Sequence, residues 1–285
     1  MTPQDYDYLR KLLKERSGLV LGAEKQYLAE SRLLPVARRH ALGGLGDLVA
    51  GLKRASAGKL AVEVVEAMTT NESFFFRDKI PFEHFGDTIM PALMVARARE
   101  KRIRIWCTAC ATGQEPYSLA MGLKALGAKL AGWRVDILAT DIATEVLEKA
   151  KAGVYSQFEV QRGLPIQLLV KFFSQVGEAW QIAPEIRAMV QFRSLNLLND
   201  FSPLGMFDLV FCRNVLIYFD QPTKTDVLNR LARQMPGESF LVLGAAETVL
   251  GLTDAFKPLA EKRGLYVRNE TAAVPGKVLK FAAKA

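Results

Sequence analysis

The stretch Ile103-Arg-Ile-Trp-Cys-Thr-Ala-Cys-Ala-Thr-Gly-Gln-Glu-Pro-Tyr-Ser-Leu-Ala120 constrains this chain more than any other. An apolar strand gives way to small residues and Gly113, and a helix opens near Glu115-Pro116. Glycine permits a turn that a Cβ hinders, and proline suits a first helical turn, where its missing N–H costs nothing. A strand that turns tightly into a helix presents backbone N–H groups and a carboxylate to whatever lies above the sheet edge. This is a cradle for a nucleotide-type ligand. It lacks the G-x-G-x-x-G fingerprint of dinucleotide enzymes and the Lys-Ser/Thr of a P-loop. An acid, Glu115, where a phosphate would sit points instead to a ligand carrying a cationic group such as an amine.

From Ile103 onward strands and helices alternate, the pattern of a mostly parallel sheet with covering helices. Strands are expected at Ile103–Cys107, Val135–Ala139, Val190–Leu195, Leu209–Cys212, Phe240–Leu243 and Leu265–Arg268, with Phe256–Ala260 completing an antiparallel pair. Helices are expected near Pro116–Leu126, Thr144–Ala152 and Pro222–Met235. Within 153–188 the alternation stops. Gln167–Phe173 reads as a helix, and Gln175–Ile186, carrying Gly177, Trp180 and Pro184, reads as a small antiparallel insertion on the sheet's ligand side.

Residues 1–77 read as an all-helical domain. Thr2-Pro3-Gln4-Asp5 is a helix start, with a Thr cap, Pro in the first turn and an acid at the positive end of the dipole. Leu9, Leu12 and Leu13 follow at helical spacing. A second helix is expected from about Glu24, with a basic side of Arg32, Arg38 and Arg39 and a kink at Pro35. The Gly43-Gly44-Leu45-Gly46 cluster is a loop, with short helices at Asp47–Lys53 and Leu60–Met68. Residues 78–100 form a helical linker restarted at Pro91, 101–270 the α/β domain, and the Ala/Lys-rich 271–285 a frayed tail.

Three further segments supply candidate site residues. Asp141 ends a strand, where nucleotide-binding sheets place an acid on ribose hydroxyls. The competing reading is a helix cap, a role Thr144 can take instead. Phe207–Asp220 delivers Arg213, Asn214 and Tyr218 to the same sheet edge, and Asn196-Leu197-Leu198 closes another strand nearby. Thr69–Arg77 holds three consecutive Phe and fits no amphipathic period. Either it is a buried aromatic hinge between domains, or the aromatics anchor Asn71, Ser73 and Arg77 on a ligand. The residues alone leave both open.

Other chemistries are disfavoured. A Cys-x-x-Cys redox motif wants its first Cys at a helix N-terminus, whereas Cys107 falls within a strand. Zinc would need two more ligands, and His40 and His84 lie elsewhere without ligand spacing, so no metal is expected. The net charge of +8 is dispersed, with no run of five basic residues. Plain solubility is one reading of it; the other is attraction to an acidic partner, a membrane surface or a glutamate-rich protein more than nucleic acid. The segment Met1–Tyr8 has neither a basic nor an apolar signal region, and no apolar run approaches the roughly 20 residues needed to span a bilayer. Three cysteines give no disulfide framework. A cytoplasmic monomer without membrane insertion is expected.

Taken in order, Asn71-x-Ser73-x-Phe-Phe-Arg77, Ala111-Thr-Gly-Gln-Glu-Pro-Tyr-Ser118, Ala139-Thr-Asp141-Ile142 and Cys212-Arg-Asn-Val-Leu-Ile-Tyr-Phe-Asp220 resemble the chemotaxis receptor methyltransferases, the CheR family. The resemblance covers nearly the whole chain except the tail. It implies an N-terminal all-helical substrate-recognition domain followed by a Rossmann-like methyltransferase sheet carrying a small antiparallel insertion. It also implies S-adenosylmethionine-dependent methylation of glutamate side chains in the cytoplasmic signalling domains of chemoreceptors, leaving S-adenosylhomocysteine. Under it Asn71, Ser73, Arg77 and Glu115 hold the methionine end of the cofactor, and Asp141 the ribose. Asn196-Leu197 and Asn214-Val215 line the adenine and sulfonium region. Tyr218 positions the substrate, with Arg77 facing the incoming carboxylate as well. Ser73 stands where the family often has Thr, and Gln114 where Glu is common. The insertion looks shorter than in relatives that capture a receptor's C-terminal peptide, so no such tether is expected. The alternative is a cofactor-binding regulatory module without turnover.

Overall fold

The computed structural model describes residues 1–55 and 58–271. The expected tail therefore lies, apart from Thr271, outside the described residues.

Four helices open the chain: α1 (Pro3–Ser17), α2 (Gln26–Arg39), α3 (Leu45–Arg54) and α4 (Lys59–Met68). Thr2 caps α1 by accepting from the Asp5 amide at 3.2 Å, and Gly18 closes it in the left-handed region at φ 77°. The helices bury Leu9, Leu13, Leu33, Leu48, Leu52 and Val64 in a core of their own. α2 runs on through Pro35, which lies inside it. Arg32 does not belong to the expected basic face. Its guanidinium donates to the carbonyls of Met68 and Thr69 at 2.8 and 2.9 Å, satisfying the end of α4. Arg38 and Arg39 are exposed.

The linker is one continuous helical run, α5 (Ile80–His84), a π-helical stretch Phe85–Ile89 and α6 (Met90–Ala96), with Pro91 in the first turn of α6. Then come β1 (Arg102–Cys107), α7 (Gln114–Leu126), β2 (Arg134–Asp141) and α8 (Thr144–Ala152). The insertion follows as β3 (Val154–Ser156), α9 (Gln157–Gln161), α10 (Ile166–Phe172), β4 (Phe173–Val176), β5 (Ala179–Ile182) and α11 (Pro184–Arg187). The main sheet resumes with β6 (Val190–Ser194), β7 (Leu209–Cys212), α12 (Gln221–Arg233), β8 (Phe240–Leu243), β9 (Phe256–Pro258) and β10 (Leu265–Arg268). Its order is β6-β2-β1-β7-β8-β10-β9, with β10 antiparallel to both neighbours and the other pairings parallel. Strands buried on both sides read as near-continuous apolar runs, and β7 and β8 are buried throughout.

The insertion is a three-stranded antiparallel sheet, β3-β5-β4. Only its β4–β5 hairpin overlaps the expected Gln175–Ile186 stretch, whose end is the short helix α11. The third strand comes from Val154–Ser156, three residues that are too few to show a period of two.

Candidate functional site

A cleft opens at the carboxyl ends of β1, β2 and β7, at the point where the strand order reverses. This is where open α/β sheets place their ligands. It encloses roughly 880 Å³ including its open mouth. All ten residues singled out from the sequence line this one cleft: Asn71, Ser73, Arg77, Glu115 and Asp141 with Asn196, Leu197, Asn214, Val215 and Tyr218.

The β1–α7 turn forms one wall. Gly113 sits at φ 93°, and a Cβ there would meet the Cβ of Ala150 at 3.0 Å and the Tyr155 hydroxyl at 3.2 Å. The turn's amides are largely spent inside the protein, contrary to a backbone cradle. Those of Thr108, Cys110 and Gly113 donate to the carbonyls of Phe211, Thr140 and Cys110, and that of Ala111 to Asp141 at 2.8 Å. The ligand-facing polarity is therefore carried by side chains, as suits a cationic rather than a phosphate-bearing ligand. Gln114 turns its side chain to the Thr112 hydroxyl at 2.8 Å and does not line the cleft.

Asp141 is 6% exposed, and its oxygens accept from the amides of Ala111 and Ala143. Burial pushes its carboxyl up against the pull of these bonds. A carboxylate has about four acceptor sites, so capacity for a ligand's hydroxyls remains. Thr144 does not cap α8 as expected. Its amide and hydroxyl both donate to Glu66 of α4, each at 2.9 Å, so the cap comes from the other domain.

Glu115, on the first turn of α7, is not a free anion. The buried Arg213 guanidinium donates to it at 2.8 Å, to Asp78 at 2.7 Å and to the Arg77 carbonyl at 3.0 Å. Burial pushes the Glu115 carboxyl up, and the adjacent Arg213 charge opposes this. Arg213 thus joins the turn, the phenylalanine segment and β7. It is one of two organising residues: the sequence places it at this sheet edge, inside the Cys212–Asp220 motif, but shows nothing of its bridging role.

The phenylalanine segment is anchored by its aromatics. Phe75 is fully buried and meets Tyr155 and Phe173 edge-on at 5.0 and 5.6 Å, while Phe76 packs on Phe82 at 5.2 Å. Phe74 lies beneath the guanidiniums of Arg77 and Arg162, at 5.7 and 4.5 Å. Phe76, Asp78 and Lys79 all have φ between 51° and 69°, a left-handed conformation rare outside glycine. The Ser118 hydroxyl, accepting from the Phe76 amide at 3.0 Å, helps to hold it.

The second organiser is Glu247, in the loop after β8. It is 9% exposed and accepts from five amides: Asn214 and Gly244 on one oxygen at 2.8 and 2.7 Å, and Val215, Leu216 and Ile217 on the other at 3.0, 2.7 and 3.3 Å. This holds Asn214 at φ 57° and sets the turn that carries Tyr218 to the cleft. A lone acid in an Ala-Ala-Glu-Thr loop offers no pattern from which to read that role.

The end of α1 closes the cleft from the other side. Asn196 donates to the Arg16 carbonyl at 2.5 Å and accepts from Leu198 at 2.9 Å, so most of its side chain is engaged within the protein. The Val20 amide donates to the Tyr218 carbonyl at 2.9 Å, and Ser17 and Leu19 line the wall.

Residues 4–69 match the family described as CheR methyltransferase, all-alpha domain, and residues 71–265 match CheR methyltransferase, SAM binding domain. The Rossmann-like sheet and its cleft are thus those of an S-adenosylmethionine-dependent methyltransferase. Chemotaxis protein methyltransferase 1 of Pseudomonas aeruginosa is 41% identical over 270 residues, which cover 93% of this chain and 97% of that one. The protein of the same name from Vibrio cholerae is 38% identical over 260 residues, 90% of this chain and 94% of that one. The chain belongs to the CheR methyltransferase family. Among the described residues no cluster of metal-ligating side chains occurs, and no helix is long and apolar enough to cross a membrane.

The cleft suits the cofactor's chemistry. It offers two buried acids, Glu115 and Asp141, to a ligand that carries an amino group and hydroxyls. The Thr108 hydroxyl and the Arg213 Nε line the same cleft, buried and without a hydrogen-bond partner in the protein.

Proposed function

We propose that this methyltransferase esterifies glutamate side chains in the acidic helical signalling domains of chemoreceptors. The observation that carries this is the cleft's equipment: Arg77 and Tyr218 line the same cleft as the acids Glu115 and Asp141, and no histidine, lysine or cysteine lines it. A glutamate with a pKa of about 4.3 is already ionised at neutral pH, so it needs no general base. The cofactor, when bound, supplies an electrophilic methyl on a sulfonium. The protein's part is to align and desolvate. Glu115 meets the cofactor's amino group and Asp141 its ribose; Asn71, Ser73 and Arg77 enclose the methionine end; Asn196, Leu197, Asn214 and Val215 flank the adenine and sulfonium region. Arg77 steers the incoming carboxylate, and Tyr218 orients it.

The helical domain recognises the receptor through the exposed Arg38 and Arg39. Arg32, committed to the end of α4, supports the cleft's rim instead. The experiment is methyl transfer from labelled cofactor to a receptor signalling fragment. Base-labile label on glutamate is expected, with a lower rate for Arg38→Glu/Arg39→Glu and unchanged S-adenosylhomocysteine binding. Label that survives mild alkali would exclude a carboxyl ester.

A further inference from the structure

Away from the cleft, one sheet face lies open. Helices follow β1, β2 and β7, but the 195–208 connection from β6 to β7 contains only the single turn Ser202–Leu204. The face of β1, β2 and β6 beside that loop is consequently a groove, lined by Arg102, Arg104, Arg134 and Arg193 with Asp136 as the only acid. The local surplus is three positive charges.

The register fixes how these groups are spread. Arg102 pairs with Arg134, Arg104 with Asp136, and Thr140 with Arg193. Alternate residues of β2 share one face, so Arg193 stands six residues beyond Arg134, about 20 Å at 3.3 Å per residue. Arg104 is fixed in place: it donates to the carbonyls of Met206 and Leu204 at 2.7 and 3.0 Å and lies 4.4 Å above the Phe207 ring. Arg102 and Arg134 share Asp136, each using only part of its fork of donors. Arg193 is exposed, with no hydrogen bond or ion pair among the described residues.

We propose that this groove binds an acidic segment of a partner protein in extended conformation, with carboxylates on alternate residues. Alternate side chains of an extended chain repeat at about 6.6 Å, the spacing of successive rows on this face; arginines stand in the first, second and fourth rows, and the third holds Trp106, Leu138 and Gln191. Arginine's planar fork pairs with carboxylates through two parallel bonds. A single-stranded nucleic acid repeats at a similar distance but wants exposed aromatics for stacking. The one aromatic lining the groove, Phe207, is 1% exposed and already covered by Arg104.

The test uses the full chain and a fluorescent peptide, Ser-Glu-Ser-Glu-Ser-Ser-Ser-Glu-Ser, whose outer carboxylates lie about 20 Å apart when extended, followed by anisotropy at low ionic strength. Saturable binding is expected, weakened about tenfold or more by 0.5 M salt. It should weaken at least tenfold in Arg134→Glu/Arg193→Glu and persist in Arg38→Glu/Arg39→Glu. Unchanged S-adenosylhomocysteine affinity in the groove variant shows that it is folded. No binding, equal binding by the groove variant, equal binding of a peptide with its three Glu clustered at one end, or preferential binding of oligothymidylate would each overturn the proposal.

Discussion

Replacing Glu247 by Gln tests how far the substrate-side loop depends on one carboxylate. The two oxygens divide five backbone donors, two on one and three on the other. An amide keeps one oxygen, and its NH₂ must face the donors of the other site. The least harmful orientation sets it against the amides of Asn214 and Gly244. Each buried donor left unsatisfied costs about 1–3 kcal/mol, so a loss of roughly 2–6 kcal/mol is expected. The chain has a direct way to lower that cost: the 213–218 turn shifts away. Asn214 then leaves its left-handed conformation and Tyr218 moves. A displacement near 1 Å at a reacting centre is worth on the order of 10²-fold in rate. Urea denaturation, S-adenosylhomocysteine calorimetry and receptor methylation should be measured on the same preparation. The expected pattern is lower stability, a modest loss of affinity and a large loss of turnover. Wild-type stability together with wild-type turnover would refute the reasoning, because five donors cannot be indifferent to losing an acceptor.

Arg213→Ala leaves Glu115 buried without its counter-charge, at a cost of about 3–5 kcal/mol in the range for a broken buried pair, checked by chemical denaturation. Glu115 also sets a pH dependence. Its carboxyl is raised by burial, and only the ionised form attracts an amine. Affinity for S-adenosylhomocysteine should therefore fall as pH drops from neutral, beginning above the range of an ordinary carboxylate; calorimetry across pH on wild type and Glu115→Gln checks this, the variant being weaker and flat. Gly113→Ala forces a side chain into a left-handed turn against Ala150, and a loss of about 1–3 kcal/mol is expected, read from the urea midpoint. A receptor C-terminal peptide is expected not to bind the insertion, and saturable binding in anisotropy would refute that.

The main sheet was legible because its strands are apolar and its turns carry Gly and Pro at the positions where geometry demands them. Eight of the ten cleft residues were legible as members of ordered motifs, Asn196 and Leu197 only as the close of a strand, and Gly113 and Glu115 also by their own chemistry. What stayed hidden was who holds whom. Thr144 carries a capping side chain, yet Glu66, 78 residues earlier, supplies the acceptor. Arg32 looks like its neighbours Arg38 and Arg39 on a helical face, yet the end of α4 lies within its reach. Glu247 sits in a loop with no period, and only the fold brings five amides around it. Such long-range pairings leave no local trace, because each partner is chemically ordinary where it stands.

The Glu66–Thr144 link bears on how the chain can be cut and recombined. An α8 first turn without its acceptor is worse by about 0.5–2 kcal/mol, the range for a lost cap. The same boundary is crossed by Asn196 to Arg16, Val20 to Tyr218, and Lys14 to Asp220 at 2.7 Å. A methyltransferase half produced alone would lack one wall of its cleft and the start of one helix. Grafting a foreign helical half to redirect the enzyme would succeed only if these partners travelled with it. For the engineer the helical half is a matched key rather than an interchangeable handle.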